Sequence, residues 1–153
     1  MMDQLREKLG RMLGRRPSSL QVAALCVDPA TGKVLLITSR GTGRWIIPKG
    51  WPMEGRTLGE AAAQEAWEEA GVRGTLSPDE IGSYRYDKLQ DRGFAIPVEV
   101  KVFRIDVDAL RRKFPEADQR NRDWFTPEHA AALVDESGLK KLLLSLPVFS
   151  PSR

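Results

Sequence analysis

The chain has 153 residues, 41% apolar and 29% charged, with a net charge of +3 and an isoelectric point near 9.2. That is ordinary globular composition, about one domain, with enough chain for a core that needs no covalent staples. With Cys26 as its single cysteine, it excludes an internal disulfide and a cysteine zinc site, and the mild positive charge suits anionic ligands without singling out nucleic acid.

The opening stretch, "MMDQLREKLGRMLGRR", places Leu5, Leu9, Met12 and Leu13 at helical spacing among five basic residues. It lacks the long apolar core of a secretory signal. It reads as a short surface helix or arm over residues 1–18, ahead of a domain spanning 19–147 and a tail over 148–153. No apolar run reaches the ~18 residues of a membrane span. "SLQVAALCV" and "KVLLITS" are strand-type runs, Ser19 to Val27 and Lys33 to Ser39, and "DPATGK" turns between them as a hairpin. Cys26 falls at a buried strand position and reads as inert core. An unpaired cysteine fits a reducing cytoplasm. "RWII" is a short third strand stopped by Pro48, and "PKGWPMEGRT" is a loop. Leu58 to Ala70, rich in alanine and glutamate, is a strong helix by propensity, with Gly71 as its C-cap.

"GSYRYDKL" and "PVEVKVFRIDV" are further strands joined by the loop "QDRGFA". In the second, Val98, Val100 and Val102 alternate with Glu99, Lys101 and Phe103. "DALRRKF" reads as a short helix and "RDWF" as a strand. "TPEHAAALV" opens a helix with Thr126 as N-cap and Pro127 and Glu128 in the first turn. His129, the only histidine, sits there as a surface residue, which disfavours histidine-based catalysis. "GLKKLLLSL" is a final amphipathic helix. The pattern is α+β, or a layered α/β/α arrangement.

The central helix carries a problem. Glu65, Glu68 and Glu69 are spaced i, i+3 and i+4 and share an arc of roughly 100°. Ala63, Ala66, Trp67 and Ala70 fall opposite and are expected to pack on the sheet, with Trp67 as the large anchor. Glu60 lands near Trp67, at the surface. Like charges at this spacing repel by a few tenths of a kcal/mol. A divalent cation reverses that sign, and Mg²⁺ takes oxygen ligands, commonly one or two carboxylates plus substrate phosphates. The alternative is a solvated acidic face, against which the preceding Gly/Pro loop argues.

The stretch Gly50 to Val72, "GWPMEGRTLGEAAAQEAWEEAGV", resembles the Nudix box, G-x5-E-x7-R-E-U-x-E-E-x-G-U. Gly50, Glu65, Glu68, Glu69, Gly71 and Val72 fall in register. With "RWIIPKG" before it and "RNRDWFTPEHA" after it, the likeness covers about residues 19 to 145 and resembles the bacterial branch close to diphosphoinositol polyphosphate phosphohydrolases. The resemblance implies an α/β/α sandwich with a mixed β-sheet and a loop-helix. It implies a Mg²⁺- or Mn²⁺-dependent pyrophosphohydrolase. Gly50 (through its carbonyl), Glu65, Glu68 and Glu69 would bind metal, and Glu65 and Glu69 would be catalytic. The general base stays open between Glu65 and a loop acid, with Glu116 and Asp118 as candidates. Two departures matter: Arg56 stands where the box has glutamate, with Glu54 nearby as a replacement, and Gln64 stands where it has arginine. These departures retune or weaken the site.

For the substrate, Ser39, Arg40, Arg44, Lys49, Arg56 and Arg120 are the expected contacts. Arg85, Lys88, Arg92 and Arg122 are further contributors if the basic residues converge into a cationic cup, since arginine forks suit phosphate oxygens. Ser39, Arg40 and Arg120 match phosphate-contacting segments of the inositol branch. An aromatic clamp for a base would draw on Tyr84, Tyr86 and Phe94. Of the tryptophans, Trp51 is best placed to touch a ligand, while Trp45, Trp67 and Trp124 read as core. The leading expectation is cleavage of diphosphoinositol or dinucleoside polyphosphates. The alternatives are a nucleotide or nucleotide-sugar pyrophosphatase, and a catalytically silent ligand-sensing module. The partner is a phosphorylated small molecule, not a membrane or nucleic acid, and nothing in the sequence sets an oligomeric state.

Overall fold

A computed structural model describes residues 19–90 and 93–147. The expected N-terminal arm, the tail and Arg92 lie outside the described residues. Strand β1 is Ser19–Val27, β2 Val34–Thr38, β3 Trp45–Ile46 and β4 Lys49–Gly50. Helix α1, Leu58–Ala70, follows. Then come β5 (Val72–Leu76), β6 (Gly82–Leu89), β7 (Ala95–Leu110), β8 (Arg122–Phe125), α2 (Pro127–Leu133) and α3 (Ser137–Leu144).

The sheet is mixed, in the order β3-β2-β1-β7-β5, with β4 on β1, β6 on β7 and β8 on β2. β1 and β7 run parallel, from Ser19↔Val98 to Val27↔Asp106, and the other pairs are antiparallel. β1 is a continuous apolar run because both of its faces are covered. Ala23, Leu25 and Val27 join the core beneath α2 and α3 with Leu139 and Leu143. Val22, Ala24 and Cys26 join the core beneath α1 with Ala61, Ala62, Ala66 and Ala70. The result is the expected α/β/α sandwich.

Caps hold the helices where the sequence puts them. Thr57 Oγ1 accepts from the Glu60 amide at 3.1 Å, and Glu60 Oε1 accepts from the Thr57 amide at 2.8 Å. This closes a capping box and satisfies two otherwise orphan donors. Glu60 is therefore a surface capping residue. Gly71 ends α1 in the left-handed region at φ 68°, where a side chain is strained. Thr126 caps α2 by accepting from His129 N, and exposed His129 sets its ring edge-on to Phe125.

Three expectations need correction. "DALRRKF" is not a helix: β7 continues through Leu110, paired as Arg73↔Ala109 and Val72↔Leu110. Residues 111–114 are irregular. The pairing to β5 takes the backbone groups a helix would need. The loop after "RWII" contains a short strand, because Lys49 and Gly50 pair with Ala23 and Val22. Trp67 does not anchor the core; it is half-buried, with the Arg73 guanidinium 3.8 Å over its ring. The anchor face is alanine, and Glu69, not Trp67, is buried there at 4% exposure.

Candidate functional site

Helix α1 and strand β4 meet at one end of a cleft of about 670 Å³. Pairing to β1 fixes Gly50 against the helix. A Cβ on Gly50 would overlap the Glu65 carboxylate and push it aside, so glycine leaves room for the carboxylate where it lies. One helical turn on, the Glu69 carboxyl shares a hydrogen bond with Glu65. Burial, reinforced by this pairing, holds the Glu69 carboxyl well above the usual carboxylate range, although Arg120 pulls it down. Glu65 is raised too, chiefly by burial. Two carboxylates paired in a desolvated site disfavour each other's charged form.

Arg120 is the hub behind this pair. Its Nη2 lies 3.4 Å from Glu69 Oε1 and 3.0 Å from Glu116 Oε1. Its Nε donates to Glu116 and its Nη1 to the Thr38 carbonyl, each at 3.1 Å. Arg40 approaches Glu116 at 3.6 Å and donates to Gln119 at 2.9 Å. Glu116 is thereby shared by two arginines. Asp118 is exposed and lies outside the cleft lining, as does Glu54.

Among the described residues no three acidic, histidine or cysteine side chains stand ready as a metal cage. Two carboxylates do converge; Glu68, expected with them, is on the same helix but outside the cleft lining, its Oε1 accepting from Gln64 at 3.1 Å. These two carboxylates, beside the Gly50 backbone, are an oxygen donor set suited to a hard divalent cation. Mg²⁺ needs no more than one or two protein carboxylates when phosphate completes its shell. The residues fit such an ion.

Along the cleft, Ser39, Arg40, Arg44, Lys49 and Arg120 all line the wall, joined by Lys88. Arg56 does not; its guanidinium lies 3.4 Å from Gln64. Arg85 is exposed and outside the lining, and Arg122 donates to the Ala70 carbonyl at 2.6 Å. The cup therefore assembles from part of the expected set. Burial holds the Lys49 ammonium below its usual range, against the upward pull of Glu69 and Glu136.

Of the aromatics, Tyr84 is buried core and Phe94 is exposed. Trp45 packs edge-on to Phe125 at 5.0 Å, and Trp124 packs against the α1-side core. Tyr86 and Trp51 line the cleft. Tyr86 donates to Gln21 Oε1 at 2.6 Å. Trp51 is 47% exposed with the Lys88 ammonium 4.8 Å from its ring.

Asp135 and Glu136 were missed in the sequence. They precede α3 and receive Arg44 at 3.4 and 2.7 Å. Glu136 Oε2 is buried without a hydrogen-bond partner among the described residues. Only a 91-residue separation in sequence joins Asp135 to Arg44, so no local pattern signals this contact.

The chain is similar to known proteins in sequence and in fold. Nudix hydrolase 16, mitochondrial, of Arabidopsis thaliana is 32% identical over 118 residues, covering 73% of this chain and 63% of that protein. Nudix hydrolase 13, mitochondrial, from the same plant is 32% identical over 111 residues, 66% of this chain and 52% of its own. The chain thus spans less than two thirds of either relative. Among solved structures, a C. elegans Ap4A hydrolase superposes with TM-score 0.61 at 20% identity, over 84% of this chain and 95% of its own. The E. coli dihydroneopterin triphosphate pyrophosphohydrolase gives 0.65 at 17% identity, over 83% and 95%. At these identities the likeness is one of fold. The NUDIX domain model matches residues 18–146, and the chain belongs to the Nudix family.

Proposed function

We propose that this protein is a Mg²⁺- or Mn²⁺-dependent pyrophosphohydrolase that cleaves a phosphoanhydride bond in dinucleoside polyphosphates. The observation that carries the chemistry is the pair of buried Glu69 and half-buried Glu65 set against Gly50 in a cationic cleft. Glu65, Glu68, Glu69 and the Gly50 carbonyl would hold the cation, which when bound neutralises phosphate oxygens and acidifies water. Arg120 fixes Glu69 in place, and Arg40, Arg44 and Lys49 orient the polyphosphate. The carboxylate oxygen of the Glu65–Glu69 pair that stays off the cation takes the proton from the attacking water as the water oxygen bonds to phosphorus and the bridging P–O bond breaks. Glu116, shared by Arg120 and Arg40, is the weaker base.

The charge balance of the cleft supports a dinucleoside polyphosphate over a diphosphoinositol polyphosphate. Five basic side chains line it, but so do the acids Glu65, Glu69, Asp87 and Glu116. Arg44 is further engaged by Asp135 and Glu136. A ligand with phosphate on every side would want a clearer excess of cations. Trp51, Tyr86 and Leu89 give the same cleft an apolar edge on which a base can stack. The convergence of Arg40, Arg44, Lys49, Lys88 and Arg120 is what favours diphosphoinositol polyphosphates as the second reading. The unpaired Cys26 supports a reducing compartment, and no described helix is long and apolar enough to cross a membrane.

The test is product formation with Mg²⁺ from a diadenosine polyphosphate, a diphosphoinositol polyphosphate and nucleoside triphosphates, beside Glu69→Gln. Cleavage of the first, lost in the variant, supports the proposal. Preference for the second moves the substrate to inositol pyrophosphates, and preference for triphosphates moves it to nucleotide sanitising. Metal-dependent binding with no turnover makes the protein a ligand-sensing module.

A further inference from the structure

We propose that Arg56 and Gln64, two residues that depart from the Nudix box, form a positioning relay that holds Glu68 for the metal. Arg56 is thus a positioning residue and not a phosphate contact. The inference rests on the reading of Glu68 as a ligand.

The geometry is continuous. Gln64 Nε2 donates to Glu68 Oε1 at 3.1 Å, one helical turn along α1. The other end of the same amide, Gln64 Oε1, accepts from Arg56 Nη1 at 3.4 Å. Arg56 reaches it because Gly55, at φ 76°, turns the chain back, with the Arg56 amide donating to the Met53 carbonyl at 3.2 Å. Arg56, like Gln64 and Glu68, lies outside the cleft lining, and its guanidinium is engaged by Gln64. The Glu68 backbone carbonyl is held separately, by the Glu116 amide at 3.0 Å.

The chemistry explains why two residues are needed. A side-chain amide carries an acceptor at one end and donors at the other. Facing a carboxylate, it helps only with its NH₂ end forward. A guanidinium has donors and no acceptor, so Arg56 pins the oxygen end and selects the useful orientation. Without Arg56 the amide is free to turn and set its oxygen against Glu68. An arginine at position 64 would bind Glu68 directly as a charge-assisted pair. The relay orients the carboxylate through a neutral donor and leaves its charge for the cation.

The test is Mn²⁺ binding to the protein without substrate, followed by calorimetry or the spin signal of the free ion, with thermal melting to confirm folding. Arg56→Ala is expected to weaken Mn²⁺ roughly tenfold, the range for groups that orient a ligand, with Gln64→Ala matching it. In a Gln64→Arg background, Arg56→Ala is expected to change nothing further. An Arg56→Ala protein that keeps Mn²⁺ affinity but raises KM for substrate overturns the relay and returns Arg56 to the substrate. Continued dependence on Arg56 in the Gln64→Arg background overturns it too. Glu65→Gln and Glu68→Gln separate the two levels. If both keep wild-type Mn²⁺ affinity, the glutamate metal site itself fails; if they lose it while Arg56→Ala does not, only the relay fails.

Discussion

The two faces of the sheet use the same strands for opposite ends. Under α2 and α3, β1 contributes Ala23, Leu25 and Val27 to an apolar core with Leu139, Leu143 and Tyr84. Under α1, one residue further along the same strand, it meets alanines and, at the edge, a buried glutamate. Large side chains on the first face fill volume and set stability. Small ones on the second let the helix come close enough that its carboxylates reach the β4 backbone. A close-packed face tolerates little change in volume, whereas the α1 face holds charge at a cost in solvation that the other face offsets.

Variants on the two faces should therefore separate. The largest effect is expected from Glu69→Gln, which should lower turnover by about 10²–10⁴-fold, as removal of an acid–base group does. Melting should change little, because burial already disfavours the charged form of Glu69, glutamine can still hydrogen-bond to Glu65, and Arg120 keeps Glu116 as a partner. Steady-state rates beside thermal melts check both halves, and a large loss of stability would break the comparison. Next, Leu139→Ala on the opposite face should cost about 2–5 kcal/mol of stability. Turnover per folded molecule should be kept, measured by urea denaturation and by rates at a temperature where the variant is folded.

Smaller effects sharpen the picture of the α1 face. Arg73→Ala removes the guanidinium over Trp67 and should cost about 0.5–1 kcal/mol, as exposed cation–π contacts do; a several-fold larger loss in a denaturant titration would restore Trp67 as an anchor. Smallest at neutral pH is the effect of Cys26. Burial pushes its thiol from 9.0 up to about 12. The folded protein should resist alkylation at pH 8 and react once unfolded in urea. Its raised value stabilises the fold fully below pH 9 and is lost as pH rises through about 12, because the unfolded thiol ionises first. The alkaline stability slope should shrink in Cys26→Ala.

Much of this was legible along the chain. The hairpin runs, the helix from Leu58 to Ala70, its Gly71 cap and the Thr126 cap all follow from local chemistry. The glutamate spacing pointed to a cation by the same logic. What failed was local reasoning about non-local pairing. "DALRRKF" has helical composition, yet β5 captures Ala109 and Leu110. Trp67 falls on the expected face by angle, yet Arg73 and the sheet's alanine contacts leave it half outside. Arg44 read as a ligand contact, and only the fold brings Glu136 to it.

By itself the sequence determined the elements, their caps and the placement of three glutamates on one helix, because propensities, capping and periodicity act over a few residues; membership of the Nudix family rests on the resemblance of the box and on the domain match. Only the tertiary structure decided which charges meet. It set Glu65 against Gly50, gave Glu69 and Glu116 to Arg120, gave Arg44 to Glu136, and linked Arg56 through Gln64 to Glu68. Electrostatic partners are fixed by distance and burial in space, and most of these pairs are brought together by strand pairing and loop closure rather than by spacing in the chain.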